Sequence, residues 1–301
     1  MALSSVSKSF KFSVANPAGA KKRVAKMLDI SILVPVMNEA GNIRPLIDEI
    51  CTAMAGRQFE IIYVDDASDD ATTEELLAIL CDVPQLRVLR HTKRAGQSAA
   101  IRSGLLRANG TLIGVLDGDG QNVPTDFPAL EAALTEASKD GVMVMAAGIR
   151  QRRNDSPMRL LASRVARWVR TNLLGDTHPD SGCGIKILPR DLFMQLPFFD
   201  HMHRFMPSLV RRHGGIVIGV PVAHRARIVG ASKYRILDRL LVGVYDIIGV
   251  IWLLRRGPAQ GHVTEVIVPK TGHRRIAKKV SKDASKRSSK RVSKNVKDVA
   301  K

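Results

Sequence analysis

Three times in the first 110 residues, a short run of branched apolar residues stops at a polar cluster or loop and gives way to a helical pattern, and a fourth such run ends at a polar cluster. Residues 29–36 end at Met37-Asn38-Glu39-Ala40-Gly41-Asn42, after which Ile43, Leu46, Ile47 and Ile50 recur with a helix period. Residues 59–64 end at Asp65-Asp66-Ala67-Ser68-Asp69-Asp70, and Leu76, Leu77, Ile79 and Leu80 follow. Residues 86–89 lead to a third helix over 96–108, and residues 111–116 form a fourth strand ending at Asp117-Gly118-Asp119-Gly120-Gln121-Asn122. Strands alternating with helices at this period predict an α/β sandwich with a mostly parallel sheet. In such sheets ligands collect at the carboxyl ends of the strands, so the three polar clusters read as one site.

The second half is less regular. Residues 142–147 read as a buried strand, 156–174 as a helix, and Asp180-Ser181-Gly182-Cys183-Gly184 as a glycine-rich loop before 185–188. A helix over 205–213 and a strand over 216–223 precede the basic, small-residue loop 225–234. The longest helical candidate is 236–256, with an edge strand expected at 262–268. Its clean apolar stretch, 247–254, is far short of the ~20 residues a transmembrane helix needs. It reads equally as an amphipathic helix lying in a lipid interface, with Tyr245 and Trp252 at headgroup level, or as a packed core helix. These boundaries predict a leader over 1–27, a catalytic domain over 28–235, a helix and short extension over 236–268, and a tail over 269–301.

Charge is concentrated at the two ends. The net charge of +19 divides into +6 over residues 1–26, +11 over 269–301 and only +2 for the body between them. A nucleic-acid-binding fold carries its positive stripe on the folded surface, so a nucleic-acid partner is disfavoured. Basic tails beside an amphipathic helix imply adhesion to an anionic membrane surface, at about 1 kcal/mol per basic residue. A solvated, disordered tail is the alternative. Cys51, Cys81 and Cys183 lack metal-ligand spacing and are expected to be reduced thiols. No apolar signal segment is evident at the N-terminus.

Asp117 and Asp119, two apart in an extended segment, share a face and can address one cation. Gly118 and Gly120 let a ligand approach the backbone. The alternative for this pair alone is an acidic turn. His201 and His203 have no third ligand at metal spacing and read as surface or acceptor-loop residues. No Gly-x-Gly-x-x-Gly follows the first strand, which argues against a dinucleotide fold.

Six ordered segments together resemble the inverting family 2 glycosyltransferases, and within them the dolichol-phosphate mannosyltransferase-like, or polyprenyl-phosphate, enzymes. The segments are Val34-Pro35-Val36-Met37-Asn38-Glu39, residues 64–70, residues 94–104, Leu116-Asp117-Gly118-Asp119-Gly120-Gln121, residues 180–186 and Gly230-Ala231-Ser232-Lys233-Tyr234. The resemblance implies a GT-A type sandwich. It also implies transfer of a sugar, mannose or glucose, from a GDP- or UDP-linked donor to polyprenyl phosphate at the cytoplasmic face of a membrane, by a peripheral protein with no transmembrane helix. By the same resemblance Pro35, Asn38, Glu39, Asp65, Asp66, Gly96, Gln121, Arg227, Ser232 and Lys233 bind the donor. Asp117, Asp119 and Gln121 hold Mg²⁺ or Mn²⁺, and Arg150, Arg159 and Ser163 meet the acceptor phosphate, so that Asp117, Asp119, Arg150 and Arg159 carry catalysis. A phosphate monoester is already anionic at neutral pH, so attack needs no general base. Two alternatives stand beside this reading: a family 2 transferase acting on a sugar hydroxyl, which wants a carboxylate base, and a non-catalytic membrane- or nucleic-acid-binding protein.

Overall fold

The computed structural model describes residues 28–139, 141–151, 168, 170–226 and 236–256, with the backbone alone for 236–242. Contacts divide the chain into Met1–Gly257 and Pro258–Lys301, and every described residue lies in the first unit. The leader 1–27, the extension 262–268 and the tail 269–301 lie outside the described residues.

The strands are β1 (Leu28–Val36), β2 (Phe59–Asp65), β3 (Leu86–Arg90), β4 (Gly110–Val115), β5 (Val144–Arg150), β6 (Lys186–Pro189) and β7 (Ile216–Val222). The helices are α1 (Ile43–Ala53), α2 (Thr72–Ile79), α3 (Gln97–Leu105), α4 (Phe127–Ala137), α5 (Arg190–Gln195), α6 (Met206–Arg212) and α7 (Ile236–Arg255). The seven strands form one sheet in the order β3-β2-β1-β4-β6-β5-β7. Pairing is parallel except at β6, which runs antiparallel to both β4 and β5. The mostly parallel α/β sheet expected from the alternating pattern is therefore observed.

Both faces of the sheet are buried, which is why β1 and β2 read as nearly continuous apolar runs. Ile30, Ile32 and Val34 of β1 pack against Ile43, Leu46, Ile47 and Ile50 of α1 and Phe127, Leu130 and Leu134 of α4. Leu33 faces the other way, with Ile62 and Val64, toward Ala100, Ile101 and Leu105 of α3 and Leu209 and Val210 of α6. Each fully buried aliphatic contributes about 1.5–3 kcal/mol, so a charge at Ile47 would detach α1 from the sheet.

Chain order reverses at β1: β2 and β3 lie on one side and β4 on the other. That switch point opens at the carboxyl ends of β1 and β4, where ligands gather in open α/β sheets. The polar clusters after Val36 and Val115 meet there.

Some elements differ from the sequence expectation. Helix α4 was not anticipated, although Phe127, Leu130 and Leu134 carry helical spacing; Pro124 and Pro128 mask it, yet both stand where a first turn tolerates proline. Strand β5 runs on to Arg150 because Gly148, Ile149 and Arg150 pair with Val220, Pro221 and Val222. The helix expected over 156–174 is described only at its end, where 170–174 are helical.

Helix α7 has one packed face and one exposed face. Ile247, Val250, Ile251 and Leu254 join the core cluster beneath it, and Arg212 of α6 donates to the carbonyls of Leu253 and Arg256 at 3.1 and 3.0 Å. Val244, Tyr245, Ile248 and Trp252 face outward, with Tyr245 79% exposed. Among the described residues no helix is long and apolar enough to cross a membrane.

Candidate active site

The loops after β1 and β2 are stitched into one rim. Asn38 accepts from the Asp69 amide at 3.0 Å and donates to its carboxylate, and its own amide donates to Ser68 Oγ at 2.9 Å. The Glu39 amide donates to Thr72 Oγ1, and the Gly41 amide to the Glu75 carboxylate. Asn38 and Ala67 sit at φ 54° and 59°, a conformation non-glycine residues adopt only when surrounding contacts impose it. Pro35 lies within β1, opposite Val64. Glu39 accepts from Asn42 Nδ2 at 3.0 Å.

Asp65, expected among the donor-binding residues, is placed beneath this rim. It is fully buried and accepts from the Ser68 amide at 2.9 Å and from Thr73 Oγ1. These bonds fold the loop.

Asp66 points along the sheet edge instead. Its Oδ1 accepts from the Ala95 amide at 2.8 Å and lies 2.7 Å from His91 Nδ1, while Oδ2 accepts from the Gly96 amide at 2.7 Å. Burial alone would push this carboxyl up, but the hydrogen bonds from His91, Ala95 and Gly96 outweigh it and hold Asp66 below its ordinary value. These bonds anchor the start of α3. Gly96, at φ 91°, turns the chain so that Gln97 Nε2 reaches Asp117 Oδ1 at 2.8 Å.

Asp117 is roofed by the loop before β6. A Cβ on Gly184 would lie 2.2 Å from Asp117 Oδ2 and 2.6 Å from Asn122 Nδ2, so only glycine fits. From the other side, Gly118 is pressed against Val36, where a Cβ would fall 2.3 Å from Cγ1. Burial, then repulsion from Asp119, pushes the Asp117 carboxyl up, against the pull of Lys186, Gln97 and Arg150. Lys186 is itself buried and donates to the Cys183 carbonyl, and burial draws its ammonium down from the ordinary lysine value.

Arg150, at the end of β5, forms a bidentate pair with Asp180: Nε to Oδ2 and Nη2 to Oδ1, both 2.7 Å, with the Arg150 amide adding a bond at 3.2 Å. Expected to meet the acceptor phosphate, Arg150 is thus held by a carboxylate, which lifts its guanidinium above its ordinary value. Gln121 donates to the Arg225 carbonyl at 3.4 Å, and the Arg225 guanidinium spans to Glu49 with two bonds of 2.9 Å. An isolated bridge between Asn122 and His224 completes this junction, which draws the segment after β7 onto the Asp117 loop. The remaining expected contacts, Arg159, Ser163, Arg227, Ser232 and Lys233, lie outside the described residues.

Among the described residues no group of three or more His, Cys, Asp or Glu side chains could hold a metal by itself. The pair His201 and His203 is accounted for otherwise: His201 Nδ1 lies 3.0 Å from Asp246 of α7, and His203 Nδ1 lies 2.8 Å from Ser98 Oγ of α3. Asp117 and Asp119 still fit a divalent ion, since Mg²⁺ is ordinarily held by one or two carboxylates and completed by substrate phosphates. Two neighbouring carboxylates, one of them pushed toward protonation by burial and then by the charge of the other, are a donor set such an ion relieves.

Several residues of the site were not picked out from the sequence. Gln97, Lys186, Asp180 and Gly184 all fall inside segments that resemble the family, but nothing in their spacing gave them partners. His91 lies outside those segments and Ser103 inside one, and neither was singled out, because they meet only when the end of β3 packs against α3.

Solved structures share this architecture. Glucosyl-3-phosphoglycerate synthase from Mycobacterium tuberculosis, crystallised with phosphoglyceric acid, superposes with a TM-score of 0.56 at 21% identity over 78% of this chain and 82% of that one. The same enzyme crystallised with Mn²⁺, UDP-glucose and phosphoglyceric acid gives 0.55 at 19% identity, over 80% and 88%. The fold is that of the GT-A glycosyltransferases. Glycosyl transferase family 2 matches residues 31–196, and the chain belongs to that family. Among its relatives are the dodecaprenyl-phosphate galacturonate synthase of Rhizobium johnstonii, 32% identical over 78% of this chain and 70% of its own, and the undecaprenyl-phosphate 4-deoxy-4-formamido-L-arabinose transferase of Edwardsiella ictaluri, 31% identical over 73% and 66%. The chain thus spans about two thirds of the length of these relatives.

Proposed function

We propose that this glycosyltransferase moves a sugar from a nucleotide-sugar donor to a polyprenyl phosphate with inversion. The observation that carries the reading is the arrangement at the switch point: Asp117 and Asp119 at the end of β4, with the cationic side chains of Lys186 and Arg150 beside them. The named substrates of the relatives, dodecaprenyl and undecaprenyl phosphates, support a lipid-phosphate acceptor.

Asp117 and Asp119 would hold Mg²⁺ or Mn²⁺, which when bound neutralises the leaving diphosphate as a Lewis acid. Gln97 orients Asp117 for that duty. The rim formed by Asn38, Glu39 and Asp66 would take the nucleoside, and Gln121 would face the diphosphate side. The acceptor phosphate attacks as an anion, so no carboxylate base is needed; Arg150 supplies positive charge, with its geometry fixed by Asp180. Arg159, Ser163, Arg227, Ser232 and Lys233 are assigned by resemblance to the acceptor and to a loop closing on the donor.

The donor is UDP- or GDP-linked. The sugar is a hexose such as mannose or glucose, or one of the acidic or amino sugars for which the relatives are named. Val244, Tyr245, Ile248 and Trp252 of α7, with Arg255 and Arg256 at its end, would rest on the anionic cytoplasmic face of a membrane, aided by the basic tail.

The test is incubation with a panel of nucleotide sugars and polyprenyl phosphate, followed by mass identification of the glycosyl-phospholipid. A product formed with Mn²⁺ and lost in Asp119→Asn supports the reading, whereas transfer to a sugar hydroxyl or no transfer at all overturns it. Liposome flotation with and without residues 269–301 tests the tail; equal binding rejects its role.

A further inference from the structure

His91 follows β3 and has no part in the activity as set out so far. Its backbone amide donates to the Asp65 carbonyl at 2.9 Å, so its position is fixed by the sheet. Its ring lies between two groups: Nδ1 is 2.7 Å from Asp66 Oδ1, and Nε2 is 2.9 Å from Ser103 Oγ. Asp66 also accepts from the Ala95 and Gly96 amides and is held ionised, so it is an acceptor only. Nδ1 must therefore carry the proton it gives to Asp66, while Nε2 is engaged by the Ser103 hydroxyl, which can donate or accept. Ser103 thus fixes the ring in the orientation that Asp66 requires, as an outer partner orients a ligating histidine.

The consequence runs toward the metal carboxylates. Asp66 holds the Gly96 amide, Gly96 turns at φ 91° into α3, and the next residue, Gln97, places its amide 2.8 Å from Asp117 Oδ1. We propose that His91 is a positioning residue for the transfer reaction: locked by Ser103, it holds Asp66 on the start of α3 and so sets the Gln97 amide against Asp117. This rests on the function proposed above, and it adds a residue that touches neither donor nor metal.

The chemistry names the variants. The side-chain amide nitrogen of Asn stands near the place of Nδ1 and can still donate to Asp66, whereas that of Gln stands near Nε2 and cannot. His91→Asn and His91→Gln are compared with wild type in three measurements: thermal unfolding, calorimetric binding of UDP with Mn²⁺, and kcat and KM for transfer. Expected are similar melting temperatures, wild-type behaviour within about twofold for His91→Asn, and for His91→Gln a loss of roughly 10- to 100-fold in UDP–Mn²⁺ affinity and kcat with acceptor KM unchanged. Equal impairment of both variants, full retention of binding by both, or a change confined to melting temperature overturns the proposal. Should wild type bind UDP–Mn²⁺ but transfer no sugar, the function proposal fails while the binding comparison still decides His91. Wild type that binds neither UDP nor GDP with Mn²⁺ rejects both; where GDP is the nucleotide bound, it replaces UDP in the comparison.

Discussion

Gly184 and Asp117 are in such close apposition that a methyl group on the former would lie 2.2 Å from Oδ2 of the latter. Gly184 stands just before β6, the antiparallel strand inserted beside β4, and Asp117 stands just past the end of β4. The pairing of Lys186 with Val115 brings the two segments together, so the reversed strand is what roofs the Asp117 carboxylate.

Gly184→Ala is expected to displace Asp117 and lower turnover and Mn²⁺ affinity by roughly tenfold or more, since misplacing a catalytic group costs on that scale. Gly182→Ala is the control, because the nearest atom to its added Cβ is Arg150 Nη2 at 3.7 Å. Mn²⁺ titrations of both variants check the contrast; equal effects would show that the loop, and not the contact, matters.

Asp117→Asn should stabilise the metal-free protein while abolishing transfer. The folded state raises this carboxyl above its ordinary 3.8, through burial and Asp119. A raised acid binds its proton more tightly folded than unfolded, so ionisation subtracts stability as pH rises above the unfolded value. At pH 7 the neutral amide removes that cost. Melting curves without metal should shift upward, and addition of UDP with Mn²⁺ should stabilise wild type but not the variant.

The Arg150–Asp180 pair is largely buried, with side chains 18% and 8% exposed. Asp180→Ala strips the guanidinium of its bidentate partner, and a loss of about 3–5 kcal/mol is expected on breaking a buried pair from one side. The double variant Arg150→Met with Asp180→Ala should recover much of that stability without recovering activity. Denaturant midpoints for the four proteins of the cycle measure it.

His203 gives a pH signature. Burial, then the charges of Arg204, Lys186 and His201, pulls it from 6.5 down to about 3. The unfolded chain therefore takes up a proton that the folded chain refuses. This contribution is fully present above pH 6.5 and is lost as pH falls from there toward 3, with a slope of at most about 1.4 kcal/mol per pH unit. His203→Gln should flatten the acid limb of the stability profile; an unchanged limb would place the proton uptake elsewhere.

How much of this could be read beforehand varies residue by residue. Asp117 and Asp119 were legible as a carboxylate pair closing an apolar run, but they lie past Val115, with Asp119 in a turn, so the strand period expected to align them does not apply. The rim residues Asn38, Glu39 and Asp66 were legible because they follow apolar runs at strand ends. Asp65 looked identical to Asp66 in the chain, and both are buried; only packing shows that Asp65 bonds within its own loop while Asp66 bonds to His91 and the start of α3. Arg150 was legible as a cation but not as the partner of Asp180, since that bond joins the end of β5 to a loop reached after a long excursion.

By itself, the sequence determined the alternation of strands and helices, the carboxylate pair at the end of β4 and the glycines that free its backbone. Those features follow from local periodicity and local sterics, which act between residues near in the chain. The tertiary structure alone decided that β6 would enter the sheet reversed, that Gly184 would close over Asp117, and that His91, Asp66, Gly96 and Gln97 would form one line of contacts. Those depend on strand order and on which helix covers which face, and burial of the whole core sets them together.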